Sequence, residues 1–148
     1  SAWRYMLSEY SVPFVASEHP DACVTAKKWI GSRQPSIATS GWNTYAAAIF
    51  TRPDDQLDLD EIRGLLHQVE AAYAKQSGRV LYCMNGFAIS VGTYVAPLYE
   101  ESFRIAGQLG KLTIDMGDTS CKVPIASEVL RKVQQLDRLG KKRKTAKC

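Results

Sequence analysis

The stretch DLDEIRGLLHQVEAAYA, residues 58–74, decides the class of fold. Asp58, with Glu61 three residues later, forms an N-cap with the start of a capping box. The apolar side chains that follow recur every three or four residues, which is the period of an α-helix with one buried face. They are Leu59, Ile62, Leu65, Leu66, Val69 and Tyr73. The sequence therefore predicts a helix over residues 59–74 that buries one side.

The same period continues through most of the chain and is interrupted at Pro, Gly and Asp-containing turns. A first helix is predicted over residues 3–10, and Pro13 starts or kinks a second helical turn. Later helices are predicted to begin near residues 20, 35, 79, 97 and 124. The last is expected to run to Gly140 as its C-cap, with Leu136 and Leu139 facing inward. Roughly seven helices with short connections predict an all-α domain of stacked antiparallel helical hairpins.

Two features stand out from this pattern. Asn85 and Gly86 interrupt a very apolar helix, where we expect Gly86 to allow close helix packing and Asn85 to bond a neighbouring backbone. The segment 111–123 has no helical period and contains Asp115 and Asp118. An irregular loop of this length in a helical domain is either functional or a brace for the turn before the next helix.

The charge of the chain is concentrated at its end. The formal net charge is +4, but residues 141–147 hold five cations, and without them 14 basic and 15 acidic residues remain. We therefore divide the chain into a helical domain, 1–140, and a basic tail, 141–148. The tail is either a solvated terminus or a local phosphate-binding patch. The predicted DNA-binding residues are Arg131, Lys132, Arg138, Lys141, Lys142, Arg143 and Lys144.

Other classes of protein are disfavoured by composition. No apolar run approaches the ~20 residues of a membrane span, and no signal peptide is recognisable, so a cytoplasmic location without membrane contact is expected. The four cysteines are scattered and the two histidines lie far apart, so neither a metal site nor a cofactor is predicted. The chain begins at Ser1 inside an apolar helical pattern, and we expect a missing N-terminal part and an open edge there.

Several long motifs resemble one family over nearly the whole chain. They are WRYMLSEY at 3–10, MNGF at 84–87, VGTYV at 91–95, DMGDTSCKVP at 115–124 and LGKKRKTAKC at 139–148. Together they resemble the bacterial DNA alkylation repair enzymes. The resemblance implies a right-handed superhelix of HEAT-like, armadillo-type repeats. It also implies a DNA partner, an alkylated duplex, and monofunctional glycosylase chemistry that hydrolyses the bond to an N3- or N7-alkylated purine.

The catalytic residues implied by the resemblance are a Trp and an Asp one helical turn apart, with an Arg on a following helix. Four residues after Trp3 stands Leu7, and the nearest carboxylate, Glu9, is six residues on and is expected on another face. Near Trp42 the Arg position is filled by Ser40 and Gly41. The candidate catalytic residues are therefore only Trp3, Trp42, Asp115 and Asp118, and enzyme activity is left undecided.

Three functions fit these features. The first is a DNA glycosylase for alkylated purines. The second is a non-catalytic HEAT-like module that binds damaged DNA. The third is a scaffold with a protein partner on the helical repeat surface. The resemblance favours DNA repair, whereas the missing carboxylate favours binding without catalysis.

Overall fold

The computed structural model describes residues 2–76, 78–115 and 122–146 of the chain. Eight α-helices cover most of these residues, and no β-strand occurs among them. The predicted all-α class is thereby confirmed. In chain order the helices are α1 (Ala2–Met6), α2 (Val12–Ser17), α3 (Ala22–Ile30), α4 (Pro35–Thr51), α5 (Leu59–Ala72), α6 (Gly78–Tyr94), α7 (Tyr99–Leu109) and α8 (Ala126–Gln135).

Local sequence explains where these helices begin and end. Pro35 opens α4, where its missing N–H has no intrahelical partner to lose. Asp58 caps α5 as predicted, because its carboxylate accepts a hydrogen bond from the Glu61 N–H at 3.0 Å. Gly110, with φ of 58°, ends α7 in a conformation that favours glycine. The start signals at Pro35 and Asp58 read from the sequence are therefore present in the structure.

The helices form two layers. Helices α2, α4, α6 and α8 pack side by side in one layer, in that order, while α5 packs on α7 in the other. Each pair α3–α4, α5–α6 and α7–α8 is a repeat that contributes one helix to each layer. The core lies between the layers and centres on Trp42, whose ring is edge-on to Phe87 at 5.0 Å. We call the layer that contains α4 and α6 the inner layer.

The first helical segment differs from the prediction in a way that affects the site. Residues 3–10 do not form one regular α-helix, because a π-helical turn, Leu7–Ser11, joins α1 to α2. The extra residue in this turn changes the direction of the side chains that follow it. Ser8 and Glu9 become buried, although the polar Glu9 stands in a segment with several exposed apolar residues.

The last helix is shorter than predicted. Helix α8 ends at Gln135, because Asp137 adopts a left-handed conformation with φ of 55°. Leu136 is consequently half exposed rather than inward-facing. Gly140 does not cap a helix: its N–H donates to the Thr93 carbonyl at 2.7 Å, which attaches this part of the chain to the end of α6.

The prediction for Gly86 was also wrong. A methyl group on Gly86 would meet nothing within 4 Å, so no helix packs closely there. The close approach occurs at Gly41, where a Cβ would lie 2.5 Å from the Ile30 nitrogen of α3. Asn85 bonds a neighbouring backbone as expected, since its Nδ2 donates to the Pro124 carbonyl at 2.9 Å.

Among the described residues, no single helix is long and apolar enough to cross a membrane. Only Gly78–Tyr94 and Ala96–Leu109 taken together reach that length and composition, and they are bent by 119° at their junction.

Candidate functional site

Two clefts lie along the inner layer and meet at Phe50, Ser90 and Arg143. The first, of about 230 Å³, lies between α2, α4 and α6, and we call it the tyrosine cleft after Tyr10 and Tyr82 in its wall. The second, of about 620 Å³, lies between α6, α8 and the tail, and we call it the basic groove. Both are parts of one surface, and residues 138–146 run along it.

Glu9, in the wall of the tyrosine cleft, belongs to a buried ion pair. The side chain of Glu9 is completely shielded from solvent, and both of its oxygens accept hydrogen bonds from Arg79, at 2.6 Å from Nε and 2.5 Å from Nη2. The guanidinium lies between the rings of Tyr5 and Tyr82, 4.8 and 4.9 Å from their centroids. The hydrogen bonds that Arg79 donates to the Glu9 carboxylate raise the pKa of Arg79. The one carboxylate among the described residues of this cleft wall is therefore neutralised and enclosed.

Two other titratable groups of the tyrosine cleft, Tyr10 and Cys83, stay protonated at neutral pH. Burial, reinforced by neighbouring Tyr82 and Glu9, raises the pKa of Tyr10 to about 12. Burial also raises the pKa of the Cys83 thiol, which is almost completely enclosed. A nucleophile or general base needs a pKa near the working pH. Neither group meets that requirement.

Residues 141–146 of the predicted tail pack against the inner layer. The Arg143 N–H donates to the Phe50 carbonyl at 2.7 Å, and its guanidinium lies 4.7 Å from the Phe50 ring centroid. Lys142 donates a hydrogen bond to the Ile49 carbonyl at 2.9 Å. Its ammonium also forms an ion pair with the Asp54 carboxylate at 2.8 Å, although that contact does not have the geometry of a hydrogen bond. Ala146 is buried in the wall of the tyrosine cleft. Several contacts, not charge alone, fix the course of this segment.

The basic groove combines cations with an apolar floor. Arg138 and Lys141 are exposed at its edge, and none of the described residues that line it is acidic. Its floor includes the rings of Phe50 and Tyr94, which contact each other at 5.6 Å. The buried hydroxyl of Thr93, in the same wall, has no hydrogen-bond partner among the described residues. The groove can therefore accept an anion with an attached flat or apolar group.

The structure separates the candidate catalytic residues. Trp3 is 75% exposed on α1, whereas Trp42 is 1% exposed in the core and cannot contact a ligand. Asp115 is exposed at the end of a described range, and Asp118 lies outside the described residues. Of the three candidates that the structure describes, only Trp3 and Asp115 are exposed.

The seven predicted DNA-binding residues have different environments. Lys142 is engaged by Ile49 and Asp54, and Arg143 lies on Phe50. Arg131 is directed to the α7 side, where its guanidinium lies 5.7 Å from the Phe103 ring centroid. Of the seven, Lys132, Arg138, Lys141 and Lys144 are exposed and have neither an ion pair nor a ring contact within the described part of the chain.

Sequence reasoning missed the group of Tyr5, Glu9 and Arg79. Spacing measured from Trp3 placed Glu9 on another face, but Glu9 stands four residues after Tyr5. The structure therefore brings together an aromatic ring, a carboxylate and an arginine from a later helix, with Tyr5 in place of Trp3. One signal could have revealed this group: an acidic residue, Glu9, stands in an otherwise largely apolar helical segment. Its partner Arg79 lies 70 positions later in the chain.

Comparisons with known proteins agree with this architecture. No protein-family model matches the chain. It is 33% identical over 125 residues to an uncharacterized protein of Listeria innocua and 30% identical over 125 residues to one of Listeria monocytogenes. Each alignment covers 84% of this chain and 53% of the relative. The chain therefore spans about half the length of the curated relatives it matches.

A solved structure is also similar. It represents a new family of proteins related to the HEAT-like repeat DNA glycosylases, with affinity for branched DNA structures. The TM-score is 0.88 at 30% identity, and the match covers 97% of this chain and 61% of that one. The predicted HEAT-like stack of helical hairpins is thereby confirmed.

Proposed function

We propose that this protein binds branched DNA through the inner layer and does not excise alkylated bases. The solved relative is described by its affinity for branched DNA, which supports the first part of the proposal. The observation that carries the second part is the pairing of Glu9 with Arg79. In a bacterium such a role is exercised in the cytoplasm, where the chromosome lies.

Local cations supply the affinity for DNA in this proposal. Arg138, Lys141 and Lys144 are exposed next to the basic groove or its tail, while residues 1–140 together carry 14 basic and 15 acidic side chains and so no excess of positive charge. Three phosphate contacts correspond to a log–log salt slope of about −2.7, or roughly 40-fold weaker binding between ~50 and ~200 mM salt. The slope expected if all five tail cations contacted DNA is about −4 to −5.

Excision of N3- or N7-alkylated purines is not part of the proposal. Leaving-group departure from an alkylated purine creates positive charge on the sugar, and a free carboxylate beside the sugar stabilises it. Both oxygens of Glu9 are already occupied by Arg79, and the side chain is inaccessible. Freeing it would leave the partly buried Arg79 without its counter-ion, at a cost of several kcal/mol.

Base release and binding measured on the same DNA test this proposal. We expect salt-sensitive binding to branched DNA whose arms contain 7-methylguanine or 3-methyladenine, with no release of the methylated base above the buffer rate. The variant R138A/K141A should bind more weakly and with a smaller salt slope. Release of base by the wild type would restore the glycosylase hypothesis, and absence of salt-sensitive binding would exclude the DNA-binding role.

We also propose that the α1–α2 edge of the stack is covered by a further helical pair of a longer chain. Trp3 and Val15 are 75% and 73% exposed, and an open groove of about 560 Å³ between α1–α2 and α3–α4 is lined by Leu7 and Trp29. Uncovered apolar surface of this kind promotes association. Light scattering on the 148-residue chain should show self-association that the variant L7S/V15S reduces; a monomer that binds no apolar dye would contradict the proposal.

A further inference from the structure

We infer that the basic groove binds an unpaired DNA strand next to the branch point. This inference rests on the proposed binding of branched DNA and names the part of the branch that the groove recognises. It concerns the surface bounded by Thr93 and Tyr94 of α6, Val133 of α8, and the cations Arg138 and Lys141.

The lining of the groove distinguishes an unpaired strand from a duplex. A duplex presents phosphates and stacked base edges, so it needs cations but gains little from an apolar floor. An unpaired strand also exposes the faces of its bases, which stack on aromatic and apolar side chains. The floor contains Phe50 and Tyr94, and the half-exposed Leu136 adds apolar surface at its edge.

The charges at the groove match a strand backbone. Arg138 and Lys141 are exposed on one side, and the lining residues that the structure describes include no carboxylate to oppose them. Arg143 lies between this groove and the tyrosine cleft, with its guanidinium on Phe50. Cations beside aromatic rings are the combination found where proteins bind single strands without reading the sequence.

The dimensions of the groove and its unused polar group fit a base. Its volume of about 620 Å³ lies within the range of pockets that hold small organic ligands. The Thr93 hydroxyl in the wall is buried and has no hydrogen-bond partner among the described residues. A buried polar group without a partner is costly, and the edge of a base can supply one.

Two branched DNAs test the inference. One is a fork with an unpaired oligo(dT) arm, and the other is the same fork with that arm paired to a complementary strand. Equilibrium affinities are measured for the wild type, for R138A/K141A and for a matched control, R33A/K75A. The control also removes one Arg and one Lys, both exposed, from positions just before the N-terminal ends of α4 and α6. The groove lies at the opposite ends of these two helices.

The wild type and the control should bind the unpaired-arm fork at least about fivefold more tightly than the paired-arm fork, the effect of stacking one base. In R138A/K141A the ratio of the affinities for the two forks should fall toward one, while the melting temperature of the protein is unchanged. Equal affinity of the wild type for the two forks, both above linear duplex, would overturn this inference and leave the proposed function intact. Failure to bind either fork better than linear duplex would overturn both.

Discussion

Glu9 and Arg79 are 70 residues apart in the sequence and form a bidentate ion pair beneath the tyrosine cleft. The pair joins the π-helical turn after α1 to the start of α6, across the width of α4. Its aromatic neighbours Tyr5 and Tyr82 enclose the cation. The residues that most resemble a glycosylase site by type therefore hold helices together.

Breaking this pair should destabilise the fold. Substitution Glu9→Gln leaves the Arg79 guanidinium, whose side chain is only 13% exposed, without a counter-ion. We expect a loss of about 3–5 kcal/mol in the free energy of unfolding, measured by urea denaturation. The double variant E9Q/R79M should lose less than E9Q, because no unpaired charge remains. A loss by E9Q within about 0.5 kcal/mol, the level of an ordinary surface substitution, would show that the pair is not buried in solution.

Lys142 and Lys141 are neighbours with different predicted roles. Lys142 holds the tail through Ile49 and Asp54, whereas Lys141 is exposed at the basic groove. We expect K141A to reduce the magnitude of the salt slope of DNA binding by about 1, and K142A to leave it unchanged. A double-mutant cycle of K142A with D54N should give a coupling of about 0.5–1 kcal/mol. If K142A reduced the salt slope and K141A left it unchanged, the observed packing of the tail would be contradicted.

Gly41 should tolerate no side chain. A Cβ at this position would lie 2.5 Å from the Ile30 nitrogen and 2.8 Å from the Ala26 carbonyl oxygen, both backbone atoms of α3. Gly41→Ala is expected to cost about 1–3 kcal/mol or more in thermal or urea unfolding. Gly64→Ala is the matched control: it lies in helix α5 with open space around it and should stabilise the protein by about 0.5–1 kcal/mol. Equal stabilities of the two variants would show that α3 and α4 do not approach closely.

Cys83 should be unreactive in the native protein. Burial raises the pKa of its thiol, so almost no thiolate forms at neutral pH, and the side chain is inaccessible. With Cys121 and Cys148 replaced by Ser, mass spectrometry after iodoacetamide treatment should find Cys83 unmodified until denaturant is added. Cys23, which is only partly buried, should react slowly, because burial raises its pKa as well. Native-state alkylation of Cys83 at the unfolded rate would place it outside the core.

Helix boundaries could be predicted from the sequence because their signals are local. Asp58 and Pro35 act through the backbone groups beside them, so the starts of α5 and α4 were recognisable. The end of α8 was not, since the left-handed conformation of Asp137 depends on how the chain turns back toward Thr93. Close packing at Gly41 rather than Gly86 likewise depends on the neighbouring helix, which composition does not reveal.

The site was harder to predict than the fold. The π-helical turn Leu7–Ser11 changes which face Glu9 occupies, and no sequence period announces such a turn. The charge of the tail was evident from the sequence. Its contacts with Phe50 and Asp54 were not, because they join positions about ninety residues apart. Lys142 and Ile49, for example, are separated by 93 positions. Sequence therefore indicated that cations gather near the C-terminus, and only the packing shows which of them are available to DNA.

The most direct test of the central claim is a fluorescence anisotropy titration of a four-way DNA junction and of a linear duplex built with arms of the same sequence. Both dissociation constants are measured at one fixed salt concentration. Preferential binding of the junction by at least about tenfold, equivalent to 1.4 kcal/mol, is the predicted result. Equal dissociation constants for the two DNAs, or no binding to the junction, would contradict the claim.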